Sequence, residues 1–242
     1  MNKKPKAHTM AESILLHLFP GIVIALFYIM LVPAVEMNGF PNDFALYITD
    51  IIALVSAELG LLMYIAKRKT GTYNIKSQIP LLEKSSLRQY LVFIPLMAVW
   101  ALVISMLLSP IETMIRDSVF SFIPAKYILG NYDISFYSQE KLLLTGMLGL
   151  AANGIIAPLF EELYFRGYLL PRINLSPLKS AVLNAVLFSL YHFYSPWCFL
   201  SRVLMMVPLY YWVIKKRNIR FSILAHIISN VLTSISFLLS VL

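Results

Sequence analysis

The chain has 242 residues, 59% of them hydrophobic and 13% charged, with a mean hydropathy of +0.75. A soluble domain is about 45–50% apolar and about 25% charged, so this composition excludes an ordinary soluble protein and predicts an all-α, polytopic transmembrane bundle. The net charge of +8 does not point to nucleic acid, because the basic residues flank apolar runs as membrane topology requires. The single cysteine, Cys198, excludes an internal disulfide and a cysteine-rich metal site.

Seven apolar runs follow in order. The first, residues 14–35, comes after Lys3, Lys4 and Lys6 and is too long for the core of a cleaved signal peptide, so it reads as an uncleaved span. A short acidic link leads to the second, residues 44–66, which stops at Lys67, Arg68 and Lys69. Residues 67–88 are basic, and Gly71, Asn74 and Pro80 argue against a continuous helix there. The third run is residues 90–108, expected to end at Ser109 and Pro110. Residues 111–140 mix charges with Phe120, Phe122, Tyr127, Tyr132, Phe136 and Tyr137, and read as loop or interfacial helix with aromatics at headgroup level. The remaining runs are residues 142–170, 178–194, 197–214 and 221–241.

This gives about seven spans, divided into an N-terminal membrane region (1–140) and a core of spans four to seven (141–242). Placing the N-terminus in the cytoplasm assigns fifteen Lys and Arg to inner segments and three to outer ones, the asymmetry expected of a cell-membrane protein.

Span four carries Glu161, Glu162 and Arg166 inside its apolar run. Ionisable groups at that depth are costly, so they pair, face a cavity and mark function. Glu162 and Arg166 are four apart and share a helix face. Glu161 lies about 100° round the helix, free to face His192 or His226 from later spans. Pro158 should kink this span and loosen its backbone hydrogen bonding. His226 and Asn230 are again four apart on one face. Asp50 and Glu58, eight apart in span two, read as interhelical structural groups or cavity lining. His17 reads as an interhelical hydrogen-bond partner and His8 as solvated tail.

Together Glu161-Glu162-x-x-x-Arg166, Phe188-x-x-x-His192 and His226-x-x-x-Asn230 resemble the CPBP family of intramembrane proteases, which includes the CAAX prenyl endopeptidases and the Abi relatives linked to bacteriocin immunity. The resemblance covers about residues 142–242. It implies an intramembrane endopeptidase acting on a lipidated, membrane-anchored or hydrophobic peptide. Glu161 would be the general base on water, and His192 would share that proton. His226 and Asn230 would donate to the oxyanion, and Glu162 and Arg166 would form a structural pair. The family is often labelled metalloprotease, and Glu161, His192 and His226 are permissible Zn²⁺ ligands. No His-Glu-x-x-His signature is present, and a metal-free, glutamate-activated water is the preferred reading. Two other classes stand beside it: a non-catalytic immunity or regulatory protein on the same scaffold, and a proton-coupled transporter relaying through Glu161, His192 and Asp50. The short N-terminal tail and the seven spans look bacterial.

Overall fold

A computed structural model describes residues 5–242; Lys3 and Lys4, which entered the charge count above, lie outside the described residues. Among the described residues seven long helices make up the fold: α1 (Met10–Met37), α2 (Asn42–Thr70), α3 (Leu87–Ser118), α4 (Gln139–Arg172), α5 (Pro177–Tyr191), α6 (Pro196–Lys216) and α7 (Arg220–Val241). Six are long and apolar enough to cross a membrane, and α5 is a shorter apolar helix of 15 residues. Among the described residues the only β pairing is one bridge, Leu82 with Asn218.

Thr9 caps α1 through a reciprocal pair with Glu12, and Gly71 ends α2 in the left-handed conformation at φ 74°. The loop after α2 is not helical throughout, as its Gly, Asn and Pro residues predict. It docks on the α6–α7 turn, where Ile219 N–H donates to the Leu81 carbonyl and Glu83 N–H to the Arg217 carbonyl.

Two helix boundaries and the placement of one histidine differ from expectation. Helix α3 runs ten residues beyond Leu108, through Pro110 to Ser118. A proline removes one N–H and one bond, which a long apolar helix tolerates when the following residues still favour helix. Residues 111–118 are therefore the end of this helix rather than a separate interfacial segment. Helix α5 stops at Tyr191, so His192 and Tyr194 lie in the link to α6. His8 is not a solvated tail: its backbone N–H donates to the Arg172 carbonyl at 3.0 Å, and its ring packs on Tyr168.

Helix α4 sits at the centre, against α2 and α7, and α5 packs along α1 and α6. The main apolar core draws on Ile24 of α1, Leu62 of α2, Phe165 of α4, Phe188 of α5, Tyr210 of α6 and Phe221 of α7. Two helices are not regular. Helix α2 widens to a π-helical turn at Asp50–Leu54, and α4 does so twice, at Ala152–Ile156 and Glu162–Leu169. The first α4 turn precedes Pro158 and contains Gly154, whose carbonyl the proline ring would otherwise strike. The loosening expected around Pro158 is thus taken up by π geometry, which is frequent at functional sites.

Candidate active site

The second π-helical turn of α4 begins at Glu162, immediately after Glu161, so adjacent carboxylates leave the helix in different directions. Glu162 Oε2 lies 3.1 Å from Arg166 Nε, and both side chains are fully buried. None of the Arg166 N–H groups makes an aligned hydrogen bond to a described residue, so the contact is charge attraction rather than a directed bond. The guanidinium is held another way: the rings of Phe188 and Tyr210, from two neighbouring helices and set edge to face, each lie 3.9 Å from its central carbon. Desolvated cation–π contacts contribute about 2 kcal/mol each. Phe188, which precedes His192 by one turn, therefore has its own task.

His226 Nδ1 meets the other oxygen, Glu162 Oε1, at 3.0 Å. A carboxylate only accepts, so Nδ1 carries the proton. His192 Nδ1 donates to its own helix, to the Phe188 carbonyl at 2.8 Å. Both imidazoles are thus fixed in orientation through one nitrogen, and both turn Nε2 toward Glu161. His192 Nε2 lies 3.9 Å from Glu161 Oε1, and His226 Nε2 lies 3.9 Å from Glu161 Oε2. Neither separation is a direct hydrogen bond. In the neutral rings these are two acceptors aimed at a third.

Asn230 lies one turn along α7, and its amide donates to the Asn153 carbonyl at 2.9 Å, in the first π-helical turn of α4. One of its two N–H donors is committed there, and the second is free of that contact. The structure therefore brings Glu161, Glu162, Arg166, His192 and His226 into one cluster, and Asn230 to its edge.

Asp50 and Glu58 approach the same centre from α2. Both are buried, and the Tyr191 hydroxyl donates to Glu58 Oε1 at 2.8 Å. Their second oxygens, Asp50 Oδ2 and Glu58 Oε2, have no described hydrogen-bond partner. Spacing in the sequence placed these two on one face; only the fold joins Glu58 to Tyr191, the residue before His192. His17 is an interhelical partner, with Nε2 2.9 Å from Asn184 Nδ2. Gly21 is a position that composition could not single out. An added Cβ there would sit 2.1 Å from the Tyr191 carbonyl oxygen, so α1 and the end of α5 approach backbone to backbone.

Zinc holds its nitrogen and oxygen ligands at about 2.0–2.2 Å, which sets two ligand atoms of a tetrahedral site about 3.4 Å apart. The 3.9 Å separations here are wider. Among the described residues, no group of three His, Cys, Asp or Glu side chains is disposed to hold a metal ion. As placed, Glu161, His192 and His226 do not fit one.

Residues 143–232 match a family model, Rce1-like, described as type II CAAX prenyl endopeptidase Rce1-like. The matched stretch is thus similar to the CAAX prenyl endopeptidases, the family its motifs resemble. The match covers every motif that carried the resemblance, from Glu161 to Asn230. It supports a CAAX-type intramembrane endopeptidase in an integral membrane helix bundle. No curated protein and no solved structure matches the chain.

Proposed function

We propose that the protein hydrolyses a peptide bond at the membrane, in a lipidated, membrane-anchored or hydrophobic peptide, using a water activated by Glu161. One observation supports this above the others: two imidazole Nε2 atoms and one carboxylate, all acceptors, converge at 3.9 Å. A bridging water suits such an arrangement, since one O–H can donate to Glu161 and the other to an imidazole Nε2. Glu161 takes the proton as the water oxygen adds to the peptide carbonyl. The tetrahedral oxyanion collapses with cleavage of the C–N bond. The leaving amine takes the proton back from Glu161, giving one carboxylate and one amine product.

The free N–H of Asn230 is the donor we assign to the oxyanion. One such donor is worth roughly 3–4 kcal/mol in enzymes where it has been measured. His226 can donate from Nε2 only in its doubly protonated form, because Nδ1 is already a donor to Glu162. We therefore assign it, with His192, to positioning the water. Glu162 and Arg166 hold His226 and α4 in register.

The test is comparative peptidomics of membranes carrying wild-type or Glu161→Gln protein, followed by the purified protein with prenylated and unprenylated peptides. Glu161→Gln keeps shape and loses basicity, so accumulation of uncut substrate with unchanged protein level is expected. Full function in Glu161→Gln would assign the protein to the non-catalytic immunity or regulatory class. Chelator-treated protein, verified metal-free by elemental analysis, is expected to retain activity; loss restored by Zn²⁺ alone would overturn the metal-free reading. We further propose, on the Lys and Arg asymmetry, that the N-terminus and residues 67–88 face the cytoplasm. An external reporter signal from a fusion at Lys69 would reverse that orientation.

A further inference from the structure

At the end of the bundle where α1 begins and α2 and α4 finish, a cavity of about 490 Å³ is lined by Lys6, Lys69, Lys76 and Arg172, together with Gln78 and Ile79. No Asp or Glu lines it. Arg172 is only 4% exposed, yet its partners are all neutral. Nη1 donates to the Gln78 and Tyr168 carbonyls, Nη2 reaches the Gln78 side chain, and the guanidinium lies over the Tyr168 ring at 3.9 Å. Its Nε has no described partner. Among the described residues none of these four cations has a carboxylate within ion-pair distance. His8, packed beside them, is held below its usual imidazole range, first by burial and then by the Arg172 cation, so it stays neutral at pH 7. Four like charges gathered round one concavity, with a buried arginine among them and no anion supplied by the fold, form a focused positive field.

Lys6 and Lys69 also line a second, larger opening of about 710 Å³, which continues from the cavity along α1 and α2. Leu15, Leu16, Leu61, Tyr64 and Ile65 make its walls, and Leu15 and Tyr64 are exposed on the outer face of the bundle. Its one acid, Glu12, is occupied in capping: its carboxylate accepts from Thr9 N–H at 2.7 Å. A basic chamber opening into an apolar trough on the lipid-facing side has the chemistry of one amphiphile, with an anionic head and a hydrocarbon tail. Basic pockets between helices at the membrane surface bind phospholipid headgroups in this way.

We propose that this cavity is a binding site for the phosphate headgroup of an anionic phospholipid, with one acyl chain lying in the α1–α2 trough. The site lies at the opposite end of the C-terminal part of α4 from Glu161 and is independent of the proteolytic reading. It would fix the first turn of α1 and the end of α4 to the bilayer surface.

Native mass spectrometry of the purified full-length protein tests it, with dioleoyl phosphatidylglycerol and dioleoyl phosphatidylcholine supplied at equal concentration. Preferential retention of phosphatidylglycerol is expected. In the Lys6→Gln, Lys69→Gln, Lys76→Gln triple variant, all three positions being exposed, that affinity should fall. At about fivefold per lysine the loss is roughly 100-fold, with phosphatidylcholine unaffected. Equal retention of the two lipids, or undiminished phosphatidylglycerol binding in the triple variant, overturns the proposal. A third arm adds inorganic phosphate in excess. Competition that removes the lipid completely would make this a free-anion site and overturn the lipid assignment; persistence of the lipid supports it.

Discussion

Removing the carboxylate of Glu162 is the most informative single change at the site. In Glu162→Gln the fully buried Arg166 keeps its charge and its contacts with Phe188 and Tyr210, but loses its one ion-pair partner among the described residues. Leaving one member of a buried pair uncompensated costs about 3–5 kcal/mol. At about 2–4 °C per kcal/mol for a chain of this size, the melting temperature in mild detergent should fall by about 6–20 °C. The double variant Glu162→Leu, Arg166→Met removes both charges and keeps the volume, and should recover most of the loss, since apolar replacement of a buried pair is often neutral or better. Arg166→Lys separates the two supports of the arginine. It retains charge but not the planar guanidinium that reaches both rings, and should lose part of the cation–π attraction, about 1–2 kcal/mol. Scanning fluorimetry on the three proteins and wild type reads these numbers directly. Melting within about 2 °C of wild type in both Glu162→Gln and Arg166→Lys would refute the reasoning, because it would mean the pair is solvated and α4 is seated differently.

Other outcomes follow from contacts elsewhere. Gly21→Ala forces a Cβ against the Tyr191 carbonyl and should cost about 1–3 kcal/mol of stability; proteolysis should fall with it, because His192 is the next residue, and an unchanged melting temperature would sink the contact. Asn184→Ala strips partners from His17 Nε2 and the Phe165 carbonyl, and should destabilise by about 1–3 kcal/mol per buried group, measured by the same melting assay. Asn230→Ala should lower kcat about 10²–10³-fold with little change in KM; a change in KM alone would restrict Asn230 to holding the Asn153 turn.

The spans and the spacing of the polar motifs were legible in the sequence because both signals are local. A run of about twenty apolar residues declares a helix, and a spacing of four declares a shared face, as Glu162 and Arg166 confirm. What was hidden depends on residues far apart in the chain. The aromatic contacts of Arg166 need Phe188 and Tyr210 from two other helices. The orientation of His226 follows from Glu162, 64 residues away. The π-helical turns at Ala152–Ile156 and Glu162–Leu169 leave no spacing signature, since one extra residue per turn shifts a face without changing the composition. His8 looked like tail because nothing nearby in sequence covers it; its cover is Tyr168 and Arg172.

The brevity of α5 has a consequence for the surrounding lipid. Fifteen residues reach about 22 Å, against a hydrocarbon thickness of about 30 Å. The non-helical backbone that carries His192 therefore begins several ångströms below the far interface, where open carbonyls and N–H groups are tolerated only against protein or water. Lipid beside this helix must thin or tilt to meet it, at a fraction of a kcal/mol per ångström of mismatch. On the proposed mechanism, membrane thickness becomes a determinant of activity: bilayers of shorter acyl chains match α5 and leave the His192 link undistorted, while thicker ones pull on the segment that positions His192 against Glu161.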